Sequence, residues 1–365
     1  MSTLFSPARF GRLDAANRIV VAPMCQYSGI DGSVQPWHAQ HLGQLAISGA
    51  GVLTLEATAV ERQGAITHGC LGLWNDSQAH ALAKLLSELR SFARLPIGIQ
   101  LGHAGRKGSA QAPWLGGAPL TPEQGAWTTL APSALPWGRD WPVPEALDQA
   151  GIDRIVAAFA AAAQRADRAG LDFIELHSAH GYLMHAFLSP ISNQRRDGYG
   201  GSLSNRMRFP LEVMRAVRAV WPAQKTLGLR INGTDWLDDG WQVEDAIAYG
   251  RALLDVGADY LSVSSGGARG GVTIKLEPGY QVSFAAKLRQ ALGCPIVCAG
   301  LIADPAHADA IVTRGDADFV ALARALLDDP RWPQHAGISL AQPQDLPPQY
   351  QLAAAGRWPL ARRAA

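Results

Sequence analysis

The sequence predicts an α/β protein built as a (β/α)8 TIM barrel with a capping insertion after the third strand. Eight short apolar runs alternate with helical stretches, a Gly-led punctuation recurs ahead of several of them, and 365 residues at 48% hydrophobic content can bury a core of that size. The runs are Ile19 to Ala22, Gly51 to Thr58, Ile97 to Leu101, Phe173 to Leu176, Leu227 to Ile231, Tyr260 to Ser264, Pro295 to Ala299 and Phe319 to Leu322. Continuous apolar character implies burial on both faces, and strand-helix alternation implies parallel pairing through right-handed crossovers. Length alone also suits two medium domains; the eightfold alternation selects the single barrel.

The connecting segments carry their own signals. Gly170-Leu171-Asp172, Gly257-Ala258-Asp259 and Gly315-Asp316-Ala317-Asp318 each close a helix with a residue free to turn left-handed before the next strand. Between Asp148 and Gly170, Ile152, Ile155, Val156, Phe159, Ala162 and Ala163 follow helical spacing and define one buried stripe. Asp304-Pro305 reads as a cap and a first-turn proline opening a helix to Gly315. Residues 105–144 break the rhythm with Pro, Gly and Trp, and are expected to form a lid or rim over the site. The barrel is assigned to 1–342. The tail 343–365 includes the extended Leu346-Pro347-Pro348-Gln349-Tyr350, with Arg357-Trp358 and Arg362-Arg363 free either to dock on a partner subunit or to fray.

Composition excludes some classes. With 32 basic and 31 acidic residues and no long run of one sign, nothing marks a nucleic-acid or anionic-membrane partner, so a small uncharged or mixed substrate is expected. Met1 to Pro7 lacks a secretory pattern and the Ala-rich run Ile155 to Ala163 is too short for a membrane span, which together predict a soluble cytoplasmic protein. Cys25, Cys70, Cys294 and Cys298 show no metal-ligand spacing and read as reduced thiols.

In such a barrel the carboxyl ends of the strands converge on one site. They offer Ala22-Pro23-Met24-Cys25-Gln26-Tyr27, Glu56-Ala57-Thr58, Gln100 to Lys107, His177-Ser178-Ala179-His180-Gly181-Tyr182, Arg230-Ile231-Asn232, Ala299-Gly300-Leu301 and Ala323-Arg324. The set is rich in donors and poor in carboxylates, unlike a glycosidase or a carboxylate-metal site. Two imidazoles where a strand gives way to a loop can donate to one carbonyl oxygen, and a nearby phenol can supply a proton; paired His also serve as metal ligands or satisfied core residues. Gly300 and Arg324 suit a phosphate held by the last two loops.

These segments, with Arg195-Arg196-Asp197-Gly198-Tyr199-Gly200-Gly201-Ser202-Leu203-Ser204-Asn205-Arg206, resemble the Old Yellow Enzyme family of FMN-dependent ene-reductases over nearly the whole chain. Cys25 with Tyr27 resembles its bacterial YqjM and xenobiotic reductase A subgroup. The resemblance implies FMN across the barrel mouth and NADPH or NADH as hydride donor, an NADPH dehydrogenase activity. It places Ala22, Pro23, Met24, Cys25 and Ala57 along the ring, and Gln100 and Arg230 at its pyrimidine side. His177 also lies against the cofactor, with Ala299, Gly300, Ala323 and Arg324 around the phosphate. It further implies a ping-pong reaction: hydride passes through flavin N5 to the β-carbon of an enone, enal, maleimide or nitroalkene held by His177, His180 and Tyr27. Tyr182 protonates the α-carbon, and Cys25 tunes the flavin. A homodimer or homotetramer is implied, although the subgroup's Arg after Pro-Gln-Tyr is replaced here by Gln351-Leu352.

Two other readings make different predictions. A metal-dependent hydrolase using His177, His180 and His103 would be colourless and hold zinc. A non-catalytic flavin carrier would be yellow but not bleached by NAD(P)H. No Cys cluster follows the eighth strand, which disfavours the multidomain iron-sulfur relatives.

Overall fold

Eight parallel strands close into a barrel in the computed structural model, which describes residues 2–358. They are β1 (Ile19–Val21), β2 (Val52–Ala59), β3 (Ile97–Gly102), β4 (Phe173–Ser178), β5 (Thr226–Asn232), β6 (Tyr260–Ser264), β7 (Ile296–Cys298) and β8 (Phe319–Leu322). Each neighbours the next in chain order and β8 pairs with β1, Val320 opposite Ile19. The intervening helices are α1 (Pro36–Ala46), α2 (Asp76–Arg90), α3 (Gln149–Arg168), α4 (Leu203–Val220), α5 (Val243–Asp255), α6 (Val282–Leu292) and α7 (Pro305–Thr313). All eight expected strands form, each end within two residues of its sequence assignment. The main correction is at β4, which continues to Ser178, so His177 stands in the strand rather than in the loop beyond it.

The three punctuation glycines adopt positive φ: Gly170 at 89°, Gly257 at 94° and Gly315 at 75°. The Asp that follows each has a second task. Asp172, Asp259 and Asp318 each accept, through Oδ2, an amide at the start of the preceding strand, Ile97 at 2.8 Å, Leu227 at 2.9 Å and Ile296 at 2.9 Å. A backbone donor at the strand start, otherwise unpaired, is satisfied the same way three times around the ring. The stripe of α3 is buried at Ile152, Ile155, Phe159, Ala162 and Ala163, while Val156 is half-buried. Asp304 caps α7 through His307 N at 2.7 Å.

A hairpin of Ala8–Phe10 and Leu13–Ala15 closes the amino-terminal end of the barrel. Phe10 packs against Phe173, Tyr260 and Phe319 with ring centroids 4.3 to 5.2 Å apart. Gly98 and Gly228 leave room for these rings, since a Cβ at either would lie within 2.4 Å of Phe173 or Tyr260. Side chains two residues apart on a strand share a face, so Phe173, Glu175 and His177 follow one another up the barrel. The interior therefore changes from aromatic at the base to polar at the mouth.

Residues 105–144 form short 3-10 turns at Gly105–Lys107, Pro113–Leu115 and Pro122–Gln124, and their Leu130–Ala131 strand pairs in parallel with Glu145–Ala146. After the helix Trp332–Ser339, Gln344 to Tyr350 line a groove with Asn17, Gly51 and Pro96, at the end of the barrel opposite His177. The Arg331 guanidinium lies 4.4 Å from the Tyr350 ring centroid, and Trp358 is exposed. Arg362-Arg363 fall outside the described residues.

Candidate active site

His177 and His180 meet at the carboxyl end of β4. His180 Nδ1 lies 3.3 Å from His177 Nε2. The two nitrogens thus face a common point. Ala179 N donates to His177 Nδ1 at 3.3 Å, which leaves the ring proton on Nε2, toward that point. His180 is held with φ at 60°, uncommon for a residue with a side chain, and its amide donates to Asn232 Oδ1 at 3.1 Å. On its far side, His180 Nε2 is 2.6 Å from Ser264 Oγ. Burial first, and then the Arg230 charge, hold both imidazoles well below the ordinary His pKa, so they are neutral at pH 7.

Tyr182 completes this corner, its ring centroid 4.7 Å from that of His177. Burial raises its pKa, and the neighbouring Cys25, Tyr27 and Cys70 add to the effect, keeping the phenol protonated. Lys107 Nζ sits 4.9 Å from the Tyr182 ring centroid and 4.8 Å from that of Trp137, and donates to His180 O at 2.7 Å. Desolvation, with help from Arg106, lowers the Lys107 pKa to about 7.

The opposite wall comes from β1 and β2. Glu56 is an extra residue in the β2 to β3 register, and its carboxylate accepts Gln26 N at 3.0 Å. Beyond this bulge lies Ala57, whose backbone N–H opposes part of the rise in the Cys25 pKa. Burial, then Glu56 and Cys70, push the Cys25 thiol pKa up, so it is not a thiolate. Tyr27, also with a raised pKa, stands edge-on to Trp114 of the insertion at 5.8 Å. Ala22 is buried and continues the β1 ladder to Leu322 O, while Pro23 and Met24 are half-buried beside it.

Below the imidazoles lie Gln100 and Glu175, with Arg230 level with His177 on the neighbouring strand. Gln100 Nε2 donates to Glu175 Oε1 at 2.7 Å, and Tyr260 OH donates to Glu175 Oε2 at 3.1 Å. Arg230 gives one long bond to Ser264 Oγ at 3.4 Å, and its Nε is buried without a partner. At the end of β7, beyond the buried Ala299, Gly300 takes φ of 126°, and a Cβ there would lie 3.0 Å from Gln281 Nε2. Gln281 in turn accepts from Ser264 at 3.2 Å and Ser265 at 2.7 Å, which joins Gly300 to the imidazole side. Ala323 precedes Arg324, the exposed first residue of a short helix, and Tyr280 lies close enough to feel both Arg324 and Arg230.

The sequence-derived residues thus lie along the carboxyl ends of the barrel strands, in one continuous rim. His103 departs from the metal reading: its Nε2 is 3.0 Å from Glu61 Oε1 and its Nδ1 accepts Gly105 N, so both nitrogens are committed. Among the described residues no group of three or more His, Cys, Asp or Glu is placed to hold a metal ion. Sequence reasoning missed Glu175, Ser264, Gln281 and the role of Lys107. Glu175 carried a signal, a carboxylate inside an apolar run and two residues before His177 on the same strand face. Gln281 carried none.

The donor set fits a flavin mononucleotide. An unpartnered buried Arg230 Nε suits an electron-rich pyrimidine edge, and Gly300 gives close backbone approach for a phosphate.

Comparison with known proteins agrees. Residues 3–342 match the NADH:flavin oxidoreductase / NADH oxidase family. The NADPH dehydrogenase of Geobacillus thermodenitrificans is 40% identical over 96% of this chain and 98% of its own length, and that of Bacillus subtilis is 37% identical over 95% and 98%. Among solved structures, morphinone reductase superposes with a TM-score of 0.76 at 28% identity, over 92% of this chain and 89% of its own. No helix among the described residues is long and apolar enough to cross a membrane. The chain belongs to the NADH:flavin oxidoreductase / NADH oxidase family, of the Old Yellow Enzyme type, and is an FMN-dependent NAD(P)H oxidoreductase acting on small molecules.

Proposed function

We propose that this chain is an ene-reductase that reduces the carbon-carbon double bond of enones, enals, maleimides or nitroalkenes. The observation that carries the reading is the convergence of His177 Nε2 and His180 Nδ1, 3.3 Å apart, beside Tyr182 and next to Arg230 on the adjacent strand. FMN, when bound, supplies the hydride relay between NAD(P)H and alkene.

The chain's own groups do the rest. An activating oxygen seated between His177 and His180 receives two hydrogen bonds that strengthen as enolate-like charge builds. One such donor contributes about 2.7–4 kcal/mol. For His180 to donate through Nδ1 its Nε2 must accept, which requires the Ser264 hydroxyl, 2.6 Å away, to turn its one proton from Gln281 to the imidazole. Tyr182, protonated and next to His177, gives its phenolic proton to the α-carbon. Tyr27 adds a hydrogen bond to the substrate. Ala22, Pro23, Met24, Cys25 and Ala57 line the flavin ring, Gln100 and Arg230 its pyrimidine edge, and Ala299, Gly300, Ala323 and Arg324 its phosphate. The insertion, with Trp114 against Tyr27, caps the mouth.

Binding of 4-hydroxybenzaldehyde tests the pair, since its phenolate mimics the enolate. Titration followed in the flavin band is expected to weaken at least tenfold in His177→Ala and in His180→Ala, from the loss of a charge-assisted bond. Unaltered binding in both variants contradicts the reading.

A further inference from the structure

We infer that Glu175 is a positioning residue that sets both the electrostatics and the hydrogen-bond polarity of the flavin's pyrimidine edge, acting through Arg230 and Gln100. The inference rests on the proposed flavin contacts of those two residues. Three observations lead to it. Glu175 is a carboxylate inside the barrel, 4% exposed, on the strand face that two residues later carries His177. Both its oxygens are engaged by neutral donors, Gln100 Nε2 at 2.7 Å and Tyr260 OH at 3.1 Å. Its charge acts on Arg230, from the adjacent strand β5, more strongly than any other group does, although the two make no ion-pair contact.

Two consequences follow from the chemistry. Because a carboxylate only accepts, it takes the amide NH2 of Gln100 and turns Gln100 Oε1 the other way, leaving an acceptor for a ring N–H. Arg230 keeps its donors, including the unpartnered Nε, for the electron-rich atoms. The site then reads one donor and one acceptor edge, as a flavin pyrimidine presents. Glu175 also offsets part of the Arg230 charge. A cation beside the flavin favours the reduced, anionic form, so the carboxylate holds the potential down.

Groups facing Glu175 are Arg230 from β5, Tyr260 from β6 and Gln100 from β3, with His177 along its own strand. Burial raises its pKa against the opposing pull of Arg230 and the two donors. Protonation of Glu175 on acidification therefore raises the potential.

Glu175→Gln tests the charge alone, because the amide can still accept from Gln100 and pair with the Tyr260 hydroxyl. The FMN midpoint potential of the holoenzyme, measured by anaerobic dye titration, is expected to rise. Flavin reduction by NADPH should quicken severalfold and alkene reduction slow severalfold. Glu175→Asp, which restores the charge, should return the potential toward wild type. Should Glu175→Gln not retain FMN, Tyr260→Phe serves: loss of one donor moves the break in potential against pH upward. A wild-type potential in Glu175→Gln, or an unmoved break in Tyr260→Phe, overturns the inference. Loss of alkene reduction with flavin reduction intact in the wild-type enzyme would instead overturn the proposed function, leaving the potential measurement valid.

Discussion

Tyr182→Phe separates the two half-reactions most sharply. The substitution removes one oxygen and keeps the ring that packs 4.7 Å from His177 and 4.9 Å from Lys107 Nζ. A positioned general acid contributes about 10²–10⁴ in rate, which is about 2.7–5.4 kcal/mol of barrier. The neighbouring groups are poor replacements, because the phenol packed against His177 is that of Tyr182, whereas Tyr27 stands edge-on to Trp114. The expectation is a fall of about 10²–10⁴ in the rate at which cyclohexenone reoxidises reduced flavin, with NADPH-driven reduction nearly unchanged. Anaerobic stopped-flow at the flavin band resolves the two. Equal slowing of both half-reactions, or neither, refutes the proton-donor assignment.

Other outcomes follow from the same geometry. Ser264→Ala removes the hydroxyl 2.6 Å from His180 Nε2 and should weaken phenol binding by about tenfold, the worth of roughly one hydrogen bond, in the same flavin titration. Lys107 has its pKa lowered from 10.5 to about 7, so the unfolded chain binds the extra proton between those values and the wild-type protein gains stability as pH rises through them. Lys107→Met removes that term, and its melting temperature relative to wild type should therefore drop from pH 6 to pH 9. A pH-independent difference would speak against a desolvated ammonium. Gly300→Ala forces a Cβ to 3.0 Å from Gln281 Nε2 at φ of 126°, which should cost about 1–3 kcal/mol in denaturant unfolding and lower FMN affinity.

Much of this architecture was legible in the chain because barrel strands are buried on both faces and repeat. The glycine steps ahead of the strands marked the helix ends, and the glycines do turn left-handed at 170, 257 and 315. Their aspartates were not read, since capping the preceding strand is a contact between elements distant in sequence. Strand-end motifs located His177, His180, Tyr182 and Arg230 because polar residues at carboxyl ends share one rim. The same logic passed over Glu175, counted within the apolar run Phe173 to Leu176, and Ser264, treated as the last residue of a strand. Both matter through partners on other strands, and only closure of the barrel brings Gln100, Tyr260 and Arg230 to Glu175. The β4 boundary fell two residues short because His177 and Ser178, both polar, disguise the end of a strand that stays buried to its last residue. His103 could not be separated from the other imidazoles until its two nitrogens were seen bonded to Glu61 and Gly105.

The central claim is that the rim around His177, His180, Tyr182 and Arg230 passes hydride from a nicotinamide to an activated alkene. One anaerobic titration addresses it. NADPH added to the yellow holoprotein should abolish the visible flavin band, and cyclohexenone added next should restore it with formation of cyclohexanone. A band that NADPH leaves intact, or one that cyclohexenone does not restore, contradicts the account.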